Sequence, residues 1–235
     1  VYQADSLVPI VSANQLRNSS QVYPQEISAR YLSLPTTTPQ RVLDLAKELT
    51  ADGSNPYDKA KAIEAYLRTY PYSLDITPPP PSQDVVDYFL FDLKTGYCDY
   101  YATSMIVMAR AVGLPARLVI GYASGIYNST KAEYVIREAD AHSWVEIYFT
   151  GVGWVEFEPT ASQLQITVPE TLPGESISSL TPVQLVPEHK VIGYATERHI
   201  PQTELFPLMT GLVFIILFSS SWFLRTQGLL RSHKT

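Results

Sequence analysis

A helix with one strongly apolar side, closed by turn residues and followed at once by four strand-like runs, limits this chain more than any other feature. After Cys98, Ala102, Met105, Ile106, Ala109 and Val112 recur at the spacing of one helical face, and Val107 and Met108 widen it. Gly113 suits a C-terminal cap, and Pro115 forbids continuation. The runs "ARLVIGY", "EYVIRE", "HSWVEIYF" and "GWVEFEP" come next, with Gly125, Asn128, Gly151 and Gly153 in the turns between them. A core helix feeding a set of strands, with more helices upstream, reads as one α+β domain over residues 39–161.

The upstream helices follow one grammar. In "TTTPQRVLDLAKELTADG", Thr38 is the expected N-cap and Pro39 the first helical residue, with Val42, Leu45, Ala46 and Leu49 on one face. In "NPYDKAKAIEAYLRTYPYS", Asn55 caps, Pro56 starts, and Ala60, Ile63, Tyr66, Leu67 and Tyr70 form the stripe before Pro71 ends it. "TPPPPSQ" reads as surface polyproline, and "DVVDYFLFDL" as a short buried helix or turn. Residues 1–38 read as an irregular lead-in packed on the domain. Residues 162–204, rich in Pro, Ser and Thr, read as an extended stalk.

The run from Leu205 to Leu224 holds no charge, and its 20 residues match the roughly 30 Å of a hydrocarbon core. It is expected to be one transmembrane helix. Arg225, Arg231 and Lys234 follow it, which predicts a cytoplasmic tail over 225–235 and a domain outside the cytoplasm. The chain begins "VYQADSL", without a Met or an apolar leader, so a longer protein with an earlier exporting segment is expected. With those three basic residues set aside, 14 of the 17 Lys and Arg remain against 23 Asp and Glu, about −9 before Leu205. An acidic domain repels phosphate backbones, which argues against nucleic acid as a partner.

The single cysteine stands at the start of the apolar helix, after "KTGY". There the positive end of the helix dipole favours thiolate. Asp99, directly beside it, is expected to point elsewhere, because a carboxylate touching the thiol would raise its pKa. In the last two strand runs, His142, Trp144, Glu146 and Tyr148 share parity with Trp154, Glu156 and Glu158, while Val145, Ile147, Phe149, Val155 and Phe157 take the other face. A hairpin with an odd loop keeps both sets on consistent faces, and a pairing sum near 300 sets His142 opposite Glu158. Thiolate, imidazole and an orienting carboxylate are the parts of a nucleophilic acyl-transfer site. The pattern alone leaves two other readings open: a buried structural cysteine with a backbone-bonded histidine, or a zinc site from Cys98, His142 and Asp140 or Glu158.

The ordered motifs "GYCDYYATSMIVMARAVGLPARLVIGY", "DAHSWVEIYF" and "GWVEFEPT" resemble the transglutaminase-like core of microbial multi-pass membrane proteins, over about residues 55–161. The resemblance implies a papain-like fold, helices packed on an antiparallel sheet, with Cys98 as nucleophile, His142 as base and Glu158 as third residue. It implies no cofactor and no metal. Glu158 stands where that family has Asp, so an Asp there is expected to retain much of the activity. Tyr97, Tyr100, Tyr101 and Trp144 are expected cleft walls. The expected activity is cysteine-dependent acyl transfer or amide and peptide hydrolysis through a thioester. Its substrate would be a peptide, a protein or a cell-wall amide, at the surface of a lipid membrane. A non-catalytic module binding peptide or cell-wall material in the same cleft is the alternative, and a spacer between membrane domains a weaker one.

Overall fold

The computed structural model describes residues 7–174 and, beyond them, the strand backbones of 2–4, 185–187 and 191–193. The chain divides into two compact units, residues 6–188 and residues 1–5 with 189–235. In the smaller, β1 (Tyr2–Ala4) pairs antiparallel with a strand at Val191–Gly193. The run Leu205–Leu224 lies outside the described residues. Among the described residues no helix is long and apolar enough to cross a membrane.

In the larger unit, β2 (Leu7–Pro9) pairs with a strand at Leu185–Pro187. Two short helices follow, α1 (Ala13–Arg17) and α2 (Gln25–Tyr31), in the stretch expected to be irregular. They are too short for a readable apolar period. α1 is made by its cap: the Ser12 hydroxyl accepts from the Gln15 N–H, and the Gln15 side chain accepts from the Ser12 N–H. Leu16, fully buried, and the Arg17–Asp58 ion pair at 2.9 Å fasten α1 to the domain.

α3 (Gln40–Leu49) starts one residue later than expected, with Pro39 as its N-cap. A proline has no side-chain acceptor, and its ring pre-sets φ for the turn that follows. α4 (Pro56–Leu67) keeps the expected grammar: the Asn55 side chain accepts from the Asp58 N–H, and Pro56 stands at the first position. α5 (Val85–Asp87) is capped by Asp84 and runs into a π-helical turn, Tyr88–Leu93, that buries Phe89 and Leu90. α6 (Cys98–Ala111) is the central helix.

The strands are β3 (Ala116–Tyr122), β4 (Ile126–Asn128), β5 (Glu133–Val135), β6 (Ala141–Phe149) and β7 (Gly153–Phe157). The outlying partners of β2 and β1 are β8 (Leu185–Pro187) and β9 (Val191–Gly193). The main sheet is antiparallel and three-stranded, in the order β3-β6-β7, while β4 and β5 form a separate hairpin. α6 packs against β6 and is flanked by α3 and α4. Met105 and Met108 of the helix and Val145, Ile147 and Phe149 of β6 have no exposed surface. Each such side chain contributes about 1.5–3 kcal/mol by leaving water.

The first part of the expected stalk is part of this domain. Ala13 and Asn14 donate N–H bonds to the carbonyls of Pro169 and Glu170, and Arg17 pairs with Glu170 at 2.6 Å. Val168 packs on the core. This segment is held by backbone bonds and single apolar residues, which leave no periodic trace in the sequence.

Candidate active site

Cys98 is the first residue of α6. Its N-cap, Tyr97, supplies no side-chain bond to the helix end, so the N–H groups of the first turn are not claimed by a capping side chain. The loop before it is tied down. Tyr72 bridges to Gly96, and the Ser73 N–H donates to the Gly96 carbonyl at 2.8 Å. The Thr95 hydroxyl donates to Pro71 at 2.9 Å. Tyr72 thereby comes close enough to Cys98 and Asp99 for their charges to raise its pKa beyond the rise caused by burial.

His142 lies near the start of β6, opposite Gly121 of β3. Its Nε2 meets Glu158 Oε2 at 2.6 Å, with both side chains buried. The other carboxylate oxygen, Oε1, accepts from the Thr160 N–H at 2.9 Å. With Nε2 held by Glu158, Nδ1 is the ring nitrogen left to interact with the thiol of Cys98. The hairpin loop has three residues, between Phe149 and Gly153, but the pairing is offset from the expected one. Val145 faces Phe157 and Glu146 faces Glu156. Continued by one step, this register puts Trp144, not His142, opposite Glu158. The carboxylate reaches His142 along the diagonal, a distance that suits the longer glutamate side chain.

Burial alone would lower the His142 pKa. Hydrogen bonds to Cys98 and Glu158, with the charge of Glu158, outweigh it and push the imidazole up to about 9. Burial alone would raise the Cys98 thiol. Hydrogen bonds with His142 and Ser143 outweigh that, and the thiol falls below its ordinary value. The two shifts run in the direction that favours thiolate and imidazolium together, the reactive state of a cysteine nucleophile.

Asp99, expected to point away from the thiol, does not. Its Oδ1 stands 4.0 Å from the Cys98 sulfur and accepts from the Ser143 hydroxyl at 2.7 Å. Ser143 therefore serves both groups: its backbone lowers the thiol, and its hydroxyl gives the Asp99 carboxylate a donor other than the thiol. Sequence reasoning passed over Ser143, although it sits beside His142. Its signal was a small polar residue on a strand face otherwise filled by Val145, Ile147 and Phe149.

The four aromatic residues fare differently. Trp144 is half-buried and stacks on His142, with ring centres 6.0 Å apart and planes 18° from parallel. Its Nε1 donates to Glu156 Oε1 at 3.1 Å. Gly121 makes room for it, because a Cβ at that position would lie 3.0 Å from the indole. Tyr97 is half-buried and packs edge-on against Tyr100. Tyr100 is buried against Phe89. Tyr101 is a core residue, not a wall: it has no exposed surface, and its hydroxyl donates to the carbonyls of Tyr70 and Pro71.

A cavity of about 540 Å³ lies elsewhere, lined by Ile10, Arg117, Trp154, Glu156, Ile166 and Leu172 among others; Cys98, His142 and Glu158 do not border it. Among the described residues no cluster of three or more His, Cys, Asp or Glu is arranged to hold a metal ion.

The family model of the transglutaminase-like superfamily matches residues 43–159, which span α3 to the residue after Glu158. Residues 43–159 form a transglutaminase-like domain. Its helices on an antiparallel sheet, with the cysteine on the central helix and the histidine on a strand, are the papain-like arrangement. The chain is 42% identical over 167 residues to the "Uncharacterized protein YebA" of Bacillus subtilis (strain 168), covering 68% of this chain and 22% of that protein. It is 36% identical over 131 residues to a Pseudomonas aeruginosa protein named "Protein-glutamine gamma-glutamyltransferase", covering 56% of this chain and 20% of that protein. The matched part is thus about a fifth of each of these curated relatives. Among solved structures, the periplasmic domain of TgpA from Pseudomonas aeruginosa is similar to the transglutaminase-like domain, with a TM-score of 0.53 and 33% identity over 59% of this chain and 48% of that one.

Proposed function

We propose that this transglutaminase-like domain is an enzyme that transfers acyl groups from amides through Cys98, His142 and Glu158. The observation that carries the reading is the 2.6 Å contact of His142 Nε2 with the buried carboxylate of Glu158, which leaves the other ring nitrogen for the thiol at the start of α6. The thiolate of Cys98 attacks the carbonyl carbon of an amide, and the N–H of Cys98 at the start of α6 faces the developing oxyanion. The His142 imidazolium gives its proton to the leaving nitrogen as the C–N bond breaks, so the nitrogen of a carboxamide departs as ammonia and its acyl group stays on the sulfur as a thioester. An amine or a water then attacks that thioester and loses a proton to His142. The product is a new amide or a carboxylic acid, and the thiolate is restored. Glu158 balances the imidazolium through both half-reactions.

The name of the Pseudomonas relative supports an amine acceptor and a glutamine carboxamide donor. The uncharged run Leu205–Leu224, with the basic residues after it, supports a domain anchored outside the cytoplasm of a membrane, where peptide, protein or cell-wall amides are the available substrates. The test uses a glutamine-containing protein and a fluorescent primary amine. Ammonia release with incorporation of the amine, both abolished by Cys98→Ala, is the expected result, and ammonia release alone would mark a hydrolase. Binding of the protein without turnover, equal in parent and Cys98→Ala, would replace the enzyme by a binding module.

A further inference from the structure

The buried stripe of α4 contains a carboxylate. Tyr57, Ala60, Ile63 and Leu67 make the stripe, and Glu64, in register with them, has no exposed surface. A charged group survives burial only with partners. Glu64 has three: the ammonium of Lys61, the amide of Gln165 at 3.0 Å and the backbone N–H of Glu158 at 3.0 Å. One helical turn later, Arg68 donates to three carbonyls. Nη1 reaches Glu158 and Thr160, each at 2.8 Å, and Nη2 reaches Gln163 at 2.9 Å.

Two side chains four residues apart on one helix thus grip one segment, 158–165. Both main-chain groups of Glu158, its N–H and its C=O, are held by α4. This segment leaves the end of β7 without a strand partner of its own, so the sheet does not fix it. The carboxylate that meets His142 is aimed from a backbone whose position is set 90 residues earlier in the chain.

We propose that Glu64 and Arg68 are the positioning residues of the site: they hold the backbone of Glu158 so that its carboxylate meets His142, and they act on Cys98 only through that contact. The inference rests on the reading of Cys98, His142 and Glu158 as the reacting set. Glu64 and Arg68 touch neither the thiol nor a substrate, and loss of either lets the acid-bearing segment drift. Partners of this kind around metal-binding histidines are worth about 10–100-fold in activity.

The titratable groups around the thiol and imidazole are Asp99, Tyr72 and Glu158, and those of the clamp are Glu64 and Lys61. The experiment is the rate of iodoacetamide alkylation of the single cysteine against pH, in the full chain, with the melting temperature recorded beside it. Arg68→Met and Glu64→Leu are expected to slow alkylation at pH 6 by about 10–100-fold and to move the acid limb of the profile upward by about one to two pH units. Glu64→Gln, which keeps an acceptor for the Glu158 N–H, is expected to stay close to the parent, and Arg68→Lys to fall between. Adding Arg68→Met to Glu158→Gln should slow the reaction no further, because the two act in series. A merely structural role predicts a lower melting temperature with the acid limb unmoved, and that result overturns the proposal; Arg68→Lys, expected to move the limb part of the way, carries the test if Arg68→Met or Glu64→Leu fails to fold. If Glu158→Gln itself leaves the profile unmoved, the reacting set is wrong and the proposal falls with it. If Glu158→Gln moves the profile and the clamp variants do not, only the positioning role falls.

Discussion

Glu158 reaches His142 across a diagonal of the β6–β7 hairpin, Oε2 to Nε2 at 2.6 Å, while its other oxygen is taken by the Thr160 N–H. Both carboxylate oxygens are engaged, so either orientation of an amide at this position sets its N–H₂ against one of the two partners. Glu158→Gln presents an amide N–H₂ toward the ring or toward Thr160. It should cost up to about 10⁴ in turnover, as loss of such a partner does in other triads. The sequence alone argues that Glu158→Asp is mild. The main chain of residue 158, held at both its N–H and its C=O, argues otherwise, because it cannot advance to make up a lost methylene. Glu158→Asp should lose about 10²-fold, the cost of a misplacement near 1 Å. Steady-state rates of the two variants check the order.

The raised pKa of His142 fixes a direction for stability. A folded value near 9 against an ordinary value near 6.5 means that its partners stabilise the fold fully below 6.5, and that this contribution fades as pH rises through about 9. The lowered Cys98 works in the other sense: its contribution is present above the ordinary thiol value and lost as pH falls through the lowered one. The melting temperature of Glu158→Gln should therefore lie furthest below the parent near pH 6 and converge with it above about pH 9. A gap that widens with pH would contradict the assignment. Titration of the His142 ring by NMR should show the same high midpoint.

Gly121 should be a sensitive position without being a reacting one. A Cβ there would stand 3.0 Å from the Trp144 indole, which stacks on His142. Gly121→Val should push the indole aside and lower turnover by up to about 10²-fold while far-ultraviolet circular dichroism stays unchanged. Gly121→Ala should lie between parent and Gly121→Val.

Phe89 tests the packing behind the site. It has no exposed surface, and its ring contacts Tyr70, Tyr100 and Tyr101 at centroid distances of 5.1–5.6 Å. Phe89→Ala should cost about 3–5 kcal/mol of unfolding free energy in urea. Tyr101→Phe removes the hydroxyl bonds to Tyr70 and Pro71 and should cost about 1–3 kcal/mol, since the buried Tyr70 carbonyl loses the hydroxyl while that of Pro71 keeps the Thr95 hydroxyl.

What the sequence discloses and what it withholds follow from the range of the interactions. The start of α6 at Cys98 and the burial of Met105 and Ala109 come from local periodicity, and so do the alternating faces of β6 and β7. Register is not local: the same parity fits a pairing that sets His142 opposite Glu158 and the one found, two residues away. Arg68 lies at the end of α4, where a charged side chain reads as solvent-facing; only the fold shows three carbonyls around it. Glu64 was more legible, a charge in phase with Ala60 and Leu67 on an apolar stripe. Asp99 was misread because its partner, Ser143, belongs to a strand 44 residues away. Residues 162–172 carry no period, and their place on the domain rests on backbone bonds to α1, the Arg17–Glu170 ion pair and the side chains of Glu64 and Arg68.

The central claim, that His142 holds Cys98 as a thiolate near neutral pH, is tested most directly by alkylation of the only cysteine in the chain, followed by intact mass from pH 5 to 10. An ordinary thiol, with a pKa of about 8.5, gains close to tenfold in rate for each pH unit below that value. The parent should instead react readily at pH 6 and change little up to about pH 8, whereas His142→Asn should follow the ordinary thiol curve. A parent profile that climbs tenfold per unit to pH 8, superimposable on that of His142→Asn, would contradict the account.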